Sequence, residues 1–392
     1  MKLGYIHSSK EEQARAMQVL KMTSESVALD ELGIGRIRDA FADRMFPGIS
    51  TLQQHVKYFS LMPQVYHKAT EKRYNRLSEV KAEIVRLERI MTKNLYEGSR
   101  NKKGITGSDT IGKGTNSYVK YDPAYIYNSG LQTFEILRSA QVEELIYSAS
   151  KAKVLNNEFK ILKTEDEDVA DDIGKYSDLF QLCPLPHGLD YDFTKACSLD
   201  LTDADRDFII DHILTAKACQ GTLLRYLVDN PKLKLPKEFE DLGDCPLPKD
   251  LAELQDLARR FADFIYMVHV RYNYIYSDYQ DEDMYDEFMR LLRIYKSCGT
   301  NIESVLAAVD IREDSSKWFC KEISQYIAAE DIEKLDQTII NRERRVKGSR
   351  RKIGNPVYKY NSRKRIHYYK LTYRWETVRQ FIEELRKEAA NG

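Results

Sequence analysis

The sequence predicts a mainly α, multi-helical protein with a small C-terminal β-hairpin, for which a winged-helix-like arrangement is one option. Three observations lead there. Apolar residues recur at spacings of three and four through most of the 392 residues. Helix-start signatures precede several of these runs. Only near the end does the pattern change, where residues 357–360 and 366–375 are rich in Val, Ile, Tyr and Trp.

Ser9 with Glu12 makes a capping box for a first helix to about Met22. A second helix over residues 32–45 buries Ile34, Ile37 and Phe41, and Phe46-Pro47-Gly48 ends it. Ser50 and Gln53 form another capping box, opening a third helix with Leu52, Val56 and Phe59 on its apolar face. Residues 67–96 read as one long amphipathic helix, carrying Tyr74, Leu77, Val80, Ile84, Leu87 and Met91. Residues 98–117 are glycine-rich and polar, and a helical segment follows Pro123. Further helices are expected from Thr202, over 250–277, 281–297, 302–310, 315–329 and 331–347, and from the hairpin to about Ala390. In the hairpin, Asn361-Ser362-Arg363-Lys364 turns the chain, and His367, Tyr369, Leu371, Tyr373 and Trp375 share one strand face.

These elements divide the chain into an N-terminal helical domain (1–150), an acidic linker (151–190), a central helical domain (191–329) and a basic C-terminal portion (330–392). The six cysteines are scattered without a C-x-x-C pair, which suits reduced thiols. No export leader opens the chain, and no run approaches about 18 uncharged apolar residues, so a cytoplasmic protein without a membrane partner is expected.

Local reaction motifs fail on inspection. Gly107 to Thr115 contains G-x-x-x-x-G-K, but Gly114 stands where a phosphate-binding loop needs Ser or Thr for magnesium. The seven histidines show no metal-site spacing. Asp203 with Asp205, and Asp281 with Asp283, fit helix starts, where carboxylates meet free amides and the helix dipole. No catalytic residue, metal or cofactor is expected.

Formal net charge is zero, yet the charge is not evenly spread. Residues 161–300 hold 29 acids against 16 bases, whereas Asn341 to Arg374 holds thirteen Lys and Arg against the single acid Glu343. Cations interleaved with tyrosines suit phosphate contacts and base stacking. The candidate phosphate contacts are Arg344, Arg345, Lys347, Arg350, Arg351, Lys352, Lys359, Arg363, Lys364 and Arg365, with Tyr358, Tyr360 and Tyr368 as stacking surfaces. A second candidate is a helix-turn-helix around Pro47-Gly48, whose Thr51, Gln53, Gln54 and Lys57 could reach phosphates or base edges.

The stretch from Asp30 to Gln53, with Pro123 to Leu131, Ala258 to Asp263, Arg342 through Asn355 and Tyr373-Arg-Trp375, resembles a poorly characterised bacterial domain-of-unknown-function family. That resemblance implies an accessory protein encoded among antiviral or DNA-processing genes, with helicases and nucleases for partners, and it supplies no catalytic residues. The expectation is a non-enzymatic nucleic-acid-binding subunit of a defence assembly, with DNA the preferred ligand. The alternatives are a protein-interaction scaffold for a helicase or nuclease, using the acidic helices, and a divergent nuclease.

Overall fold

The computed structural model describes residues 30–112, 119–139, 141–151, 183–188, 191–312 and 314–387. The expected helix over residues 9–22 and most of the acidic linker lie outside them. In chain order the helices are α1 (Gly35–Met45), α2 (Tyr58–Ala69), α3 (Leu77–Gly98), α4 (Pro123–Thr133) and α5 (142–151). There follow α6 (Asp203–Thr215), α7 (Leu223–Asp229), α8 (Lys249–Tyr276), α9 (Glu282–Cys298) and α10 (Ile302–Ala307). The last three are α11 (Ser315–Ala329), α12 (Ile332–Lys347) and α13 (Trp375–Arg386). The chain forms two compact units, one of residues up to Arg44 with Pro246–Tyr373, the other of Met45–Cys245 with the segment from Arg374 onward.

The first unit is organised by α8. Leu254, Ala258, Phe261, Ile265, Val268, Tyr272 and Ile275 recur at helical spacing on this 28-residue helix and are all buried. Helix α9 packs on it through Met284, Phe288 and Leu292, one turn apart. Each later helix has its own start signal. Asn301 accepts from the amides of Glu303 and Ser304, Asp314 from Ser316 and Lys317, and Asp331 from Lys334. Asp30 similarly collects the amides of Leu32, Gly33 and Gly35 at 3.2, 2.8 and 2.6 Å ahead of α1. Arg342 of α12 then donates to the carbonyls of Leu32, Ser315 and Gly33, which fixes α12 against α11 and the entry to α1.

In the second unit α2, α3 and α4 surround an aromatic cluster of Tyr58, Phe59, Tyr127, Phe134 and Phe381. Asp122 caps α4 by accepting from Tyr125, with Pro123 in the first turn. Thr202 and Asp205 form a complete capping box at α6, and the Asp205 carboxylate also pairs with Lys57. The expected helix over 67–96 is two helices. Thr70 ends α2, and Tyr74 reaches the core from the intervening loop, its hydroxyl on the Ala69 carbonyl.

Among the described residues there is no strand, so the C-terminal β-hairpin and its winged-helix reading are wrong. The reason lies in the backbone. His367, Tyr373 and Arg374 have φ of 47°, 50° and 67°, a left-handed conformation that breaks an extended strand. The alternation expected over 366–375 is lost with it: Tyr369 is exposed, whereas Tyr373 and Trp375 are buried.

Candidate nucleic-acid interface

After a single 3-10 turn at Gly348–Arg350, residues 351–373 run without a helix, yet side chains of α8, α9 and α12 hold them at defined points. Asn273 of α8 grips the Ile366 peptide from both sides, its Oδ1 accepting from the amide at 2.8 Å and its Nδ2 donating to the carbonyl at 2.7 Å. One amide side chain thus replaces the neighbouring strand that the hairpin would have supplied. Asp281, just ahead of α9, takes a two-pronged contact from Arg365 at 2.9 and 3.1 Å and the hydroxyl of Tyr360, while Asp283 accepts from Arg365 at 2.8 Å. Burial works against the Arg365 cation, but these partners raise its pKa overall.

Two buried carboxylates complete the anchorage. Glu343 of α12 is fully buried and accepts from the Tyr272 hydroxyl at 2.7 Å and from the amides of Lys352 and Ile353 at 2.7 and 3.1 Å. Glu31 accepts from Lys352 Nζ at 2.5 Å and faces His367 Nε2 at 2.7 Å, with Lys347 Nζ at 3.8 Å. Burial alone would raise the Glu31 pKa; contacts to His367 and Lys352 overcome it and bring the value to about 2. Burial pushes the Lys347 pKa down, against the pull of Glu31.

Of the thirteen cations of this segment, Lys370 pairs with Asp263 at 2.8 Å and Arg374 donates to the Ile49 carbonyl at 2.8 Å, and the other eleven divide by what holds them. Arg342, Lys347, Lys352 and Arg365, the last three of them among the candidate contacts, are tied into the fold by buried or half-buried partners. Arg344 is exposed and contacts only its helix neighbour Asn341. Arg345, Arg350, Lys359, Arg363 and Lys364 are exposed and Arg351 half-buried, and among the described residues the side chains of these six make no ion pair or hydrogen bond. Of the tyrosines, Tyr358 and Tyr368 are exposed, although Arg365 lies 5.3 Å over the Tyr368 ring and Tyr266 packs 5.7 Å away. Tyr360 is half-buried and committed to Asp281.

Tyr369, 61% exposed, is an aromatic surface outside the candidate contacts; the strand reading put it on one face with Tyr373 and Trp375, which are buried. Another feature lacks any sequence signal. His269, buried on α8, packs its ring 4.9 Å from His367 and leaves Nε2 without a hydrogen-bond partner. Burial, reinforced by His367, depresses its pKa to about 3, so it is neutral at physiological pH.

The second candidate surface is built differently from the expected helix-turn-helix. Residues 50–57 form turns, and α2 begins only at Tyr58. Gln53 does accept from the Ser50 amide at 3.1 Å, but its Nε2 donates back to Gly48 at 3.1 Å, closing a loop instead of starting a helix. Gln53 and Lys57 are buried, Lys57 against Asp205, whereas Thr51 and Gln54 are exposed. Of the phosphate-loop look-alike, Gly107 has φ 84° and leads into a single 3-10 turn at Ser108–Thr110; residues 113–118 lie outside the described ones. No group of three or more acidic, His or Cys side chains suited to a metal occurs among the described residues. No helix there is long and apolar enough to cross a membrane.

No curated protein and no solved structure matches the chain. A family model described as a family of unknown function, DUF6361, matches residues 1–227, which takes in the first unit's residues up to Arg44 and the second unit from Met45 into α7, and leaves the basic segment outside the matched region. The match spans more than half of the sequence, and the chain belongs to the DUF6361 family.

Proposed function

We propose that this protein is a non-enzymatic nucleic-acid-binding subunit that holds DNA on the 344–369 segment and positions it for a partner enzyme. The observation that supports this reading is the set of six unpaired cations, Arg345, Arg350, Arg351, Lys359, Arg363 and Lys364, interleaved with Tyr358, Tyr368 and Tyr369 on one anchored segment. Surface cations that have an acid at hand commonly pair with it, as Lys334 does with Asp331. Here the acids of the segment's surroundings are spent on Lys352 and Arg365, which fix the backbone, and the remaining cations are left to solvent or a polyanion. The antiviral or DNA-processing setting rests on the family resemblance, with a helicase or nuclease as the partner class.

The test is fluorescence anisotropy with single-stranded and duplex DNA and with RNA across a salt series. Six engaged cations give a log-log salt slope of about −5 on duplex DNA, from about −0.9 per phosphate. Reversing Arg350, Arg351, Arg363 and Lys364 to Glu brings the slope to about −2 and weakens binding on every sequence. Undiminished affinity in that variant, with its helical circular dichroism intact, refutes the assignment.

A further inference from the structure

We infer that the cavity between α1, α8 and residues 367–371 is a pocket for one unstacked nucleobase of the bound strand. This rests on the nucleic-acid reading above and adds to it a site that takes a base instead of a phosphate. The cavity, of about 160 Å³, is lined by Asp30, Ile34, Arg38, His269, His367, Tyr369 and Leu371. By volume it equals roughly five waters at about 30 Å³ each, well below the ~300–1,000 Å³ of pockets for larger ligands.

Its chemistry selects against an anion. Arg38 is occupied by Asp39, through Nε at 3.0 Å and Nη2 at 3.2 Å, so the cavity offers no uncommitted guanidinium. Asp30 also lines the cavity, and its negative charge disfavours a phosphate there. His269 is 97% buried and carries a ring nitrogen with no partner, a group that costs free energy until something hydrogen-bonds to it. A neutral imidazole meets that need with a neutral polar edge, which a heterocyclic base presents. Ile34 and Leu371 supply apolar walls, and Tyr369, in the lining yet 61% exposed, offers a ring face to an entering base. Base pockets of this kind combine an aromatic or apolar surface with hydrogen bonds to the base edge.

The location fits as well. Tyr369 and His367 are on the same segment as the unpaired Arg363 and Lys364, so a backbone held by those cations passes within a few residues of the cavity. Single strands present the required base without loss of pairing energy, so they are the preferred form.

The experiment compares oligothymidine with an abasic oligomer of equal length and charge, titrated into the full-length protein at one salt concentration. Wild type is expected to favour the base-bearing strand by about tenfold, the size of one stacked base. Leu371→Trp, which fills the cavity from a half-buried position, and His269→Leu, which removes its polar group, should each bring affinity for oligothymidine down towards that of the abasic strand. Equal wild-type affinity for the two strands overturns the proposal, and so does a preference that survives in Leu371→Trp, because exposed Tyr358 and Tyr368 then account for it. If neither strand binds even at low salt, the nucleic-acid reading itself fails and the pocket assignment goes with it. Loss of preference in the two cavity variants, but not in Tyr358→Ala, supports the pocket.

Discussion

Replacing Glu343 should release the basic segment from the helices that carry it. In Glu343→Ala three donors lose their acceptor together: the Tyr272 hydroxyl and the amides of Lys352 and Ile353. An orphaned buried donor costs about 1–3 kcal/mol. Tyr272 is fully buried and stands at the upper end, whereas the two amides belong to a half-buried loop that can turn to water and stand at the lower end. The sum is about 3–5 kcal/mol. Glu343→Gln keeps an oxygen for Tyr272 and Lys352 but turns an NH2 towards the Ile353 amide, so about 1–2 kcal/mol is expected. Urea denaturation followed by circular dichroism measures the global loss, and tryptic cleavage between Arg350 and Arg365 measures local opening, each 1.4 kcal/mol raising the open population about tenfold. Cleavage at the wild-type rate and a stability within about 0.5 kcal/mol in Glu343→Ala would refute the anchoring role.

Gly130→Ala places a Cβ 2.6 Å from the Gly48 carbonyl and 2.8 Å from the Phe59 ring, so overpacking outweighs the helix propensity gained, and a net loss of about 1–2 kcal/mol should lower the melting temperature. An unchanged or raised melting temperature contradicts that close packing. His55 lies between Glu384 at 3.0 Å and the Lys103 carbonyl at 2.8 Å; burial lowers its pKa, but these two contacts raise it further, against a smaller opposition from Lys387. Burial likewise works against ionised Glu384, yet the bonds from His55 and the Val56 amide leave its pKa lowered. The His55 contribution is therefore complete below the ordinary His value near 6.5 and fades as pH rises through the higher folded value, while that of Glu384 fades as pH falls below the ordinary carboxylate range. The difference in melting temperature between wild type and His55→Ala should be largest near pH 5–6 and shrink by pH 8; a difference that grows towards pH 8 reverses the argument.

How much of this could be read beforehand depended on whether the deciding partner was close in sequence. Helices α4, α6, α11 and α12 announce themselves because Asp122, Thr202, Asp314 and Asp331 cap amides two or three residues away. The hairpin failed because Val, Ile and Tyr report only that a segment prefers extended backbone, whereas what pairs with Ile366 is Asn273, 93 residues earlier. The site divides the same way. Composition exposed the excess of cations at once, but the sorting of Lys352 and Arg365 from Arg363 and Lys364 is made by Glu31 and Asp281, 321 and 84 positions distant. Gln53 shows how a true local contact can mislead, since its bond to Ser50 exists within a turn. His269 carried no signal, because a histidine on an apolar helix face looks the same with or without a partner for its ring.

The grip of Asn273 on Ile366 fixes the segment's register through the backbone alone, between the side-chain anchors of Arg365 and His367. Positions that anchor nothing, such as Arg363 and Lys364, can be rewritten in charge or in aromatic content without the helices having to change, since this holding contact uses only the peptide groups of residue 366 and is indifferent to its side chain. Such a loop can change what it binds while keeping where it binds, and the place to look for altered ligand preference among relatives is at the unpaired positions of the segment, opposite an unchanged asparagine on α8.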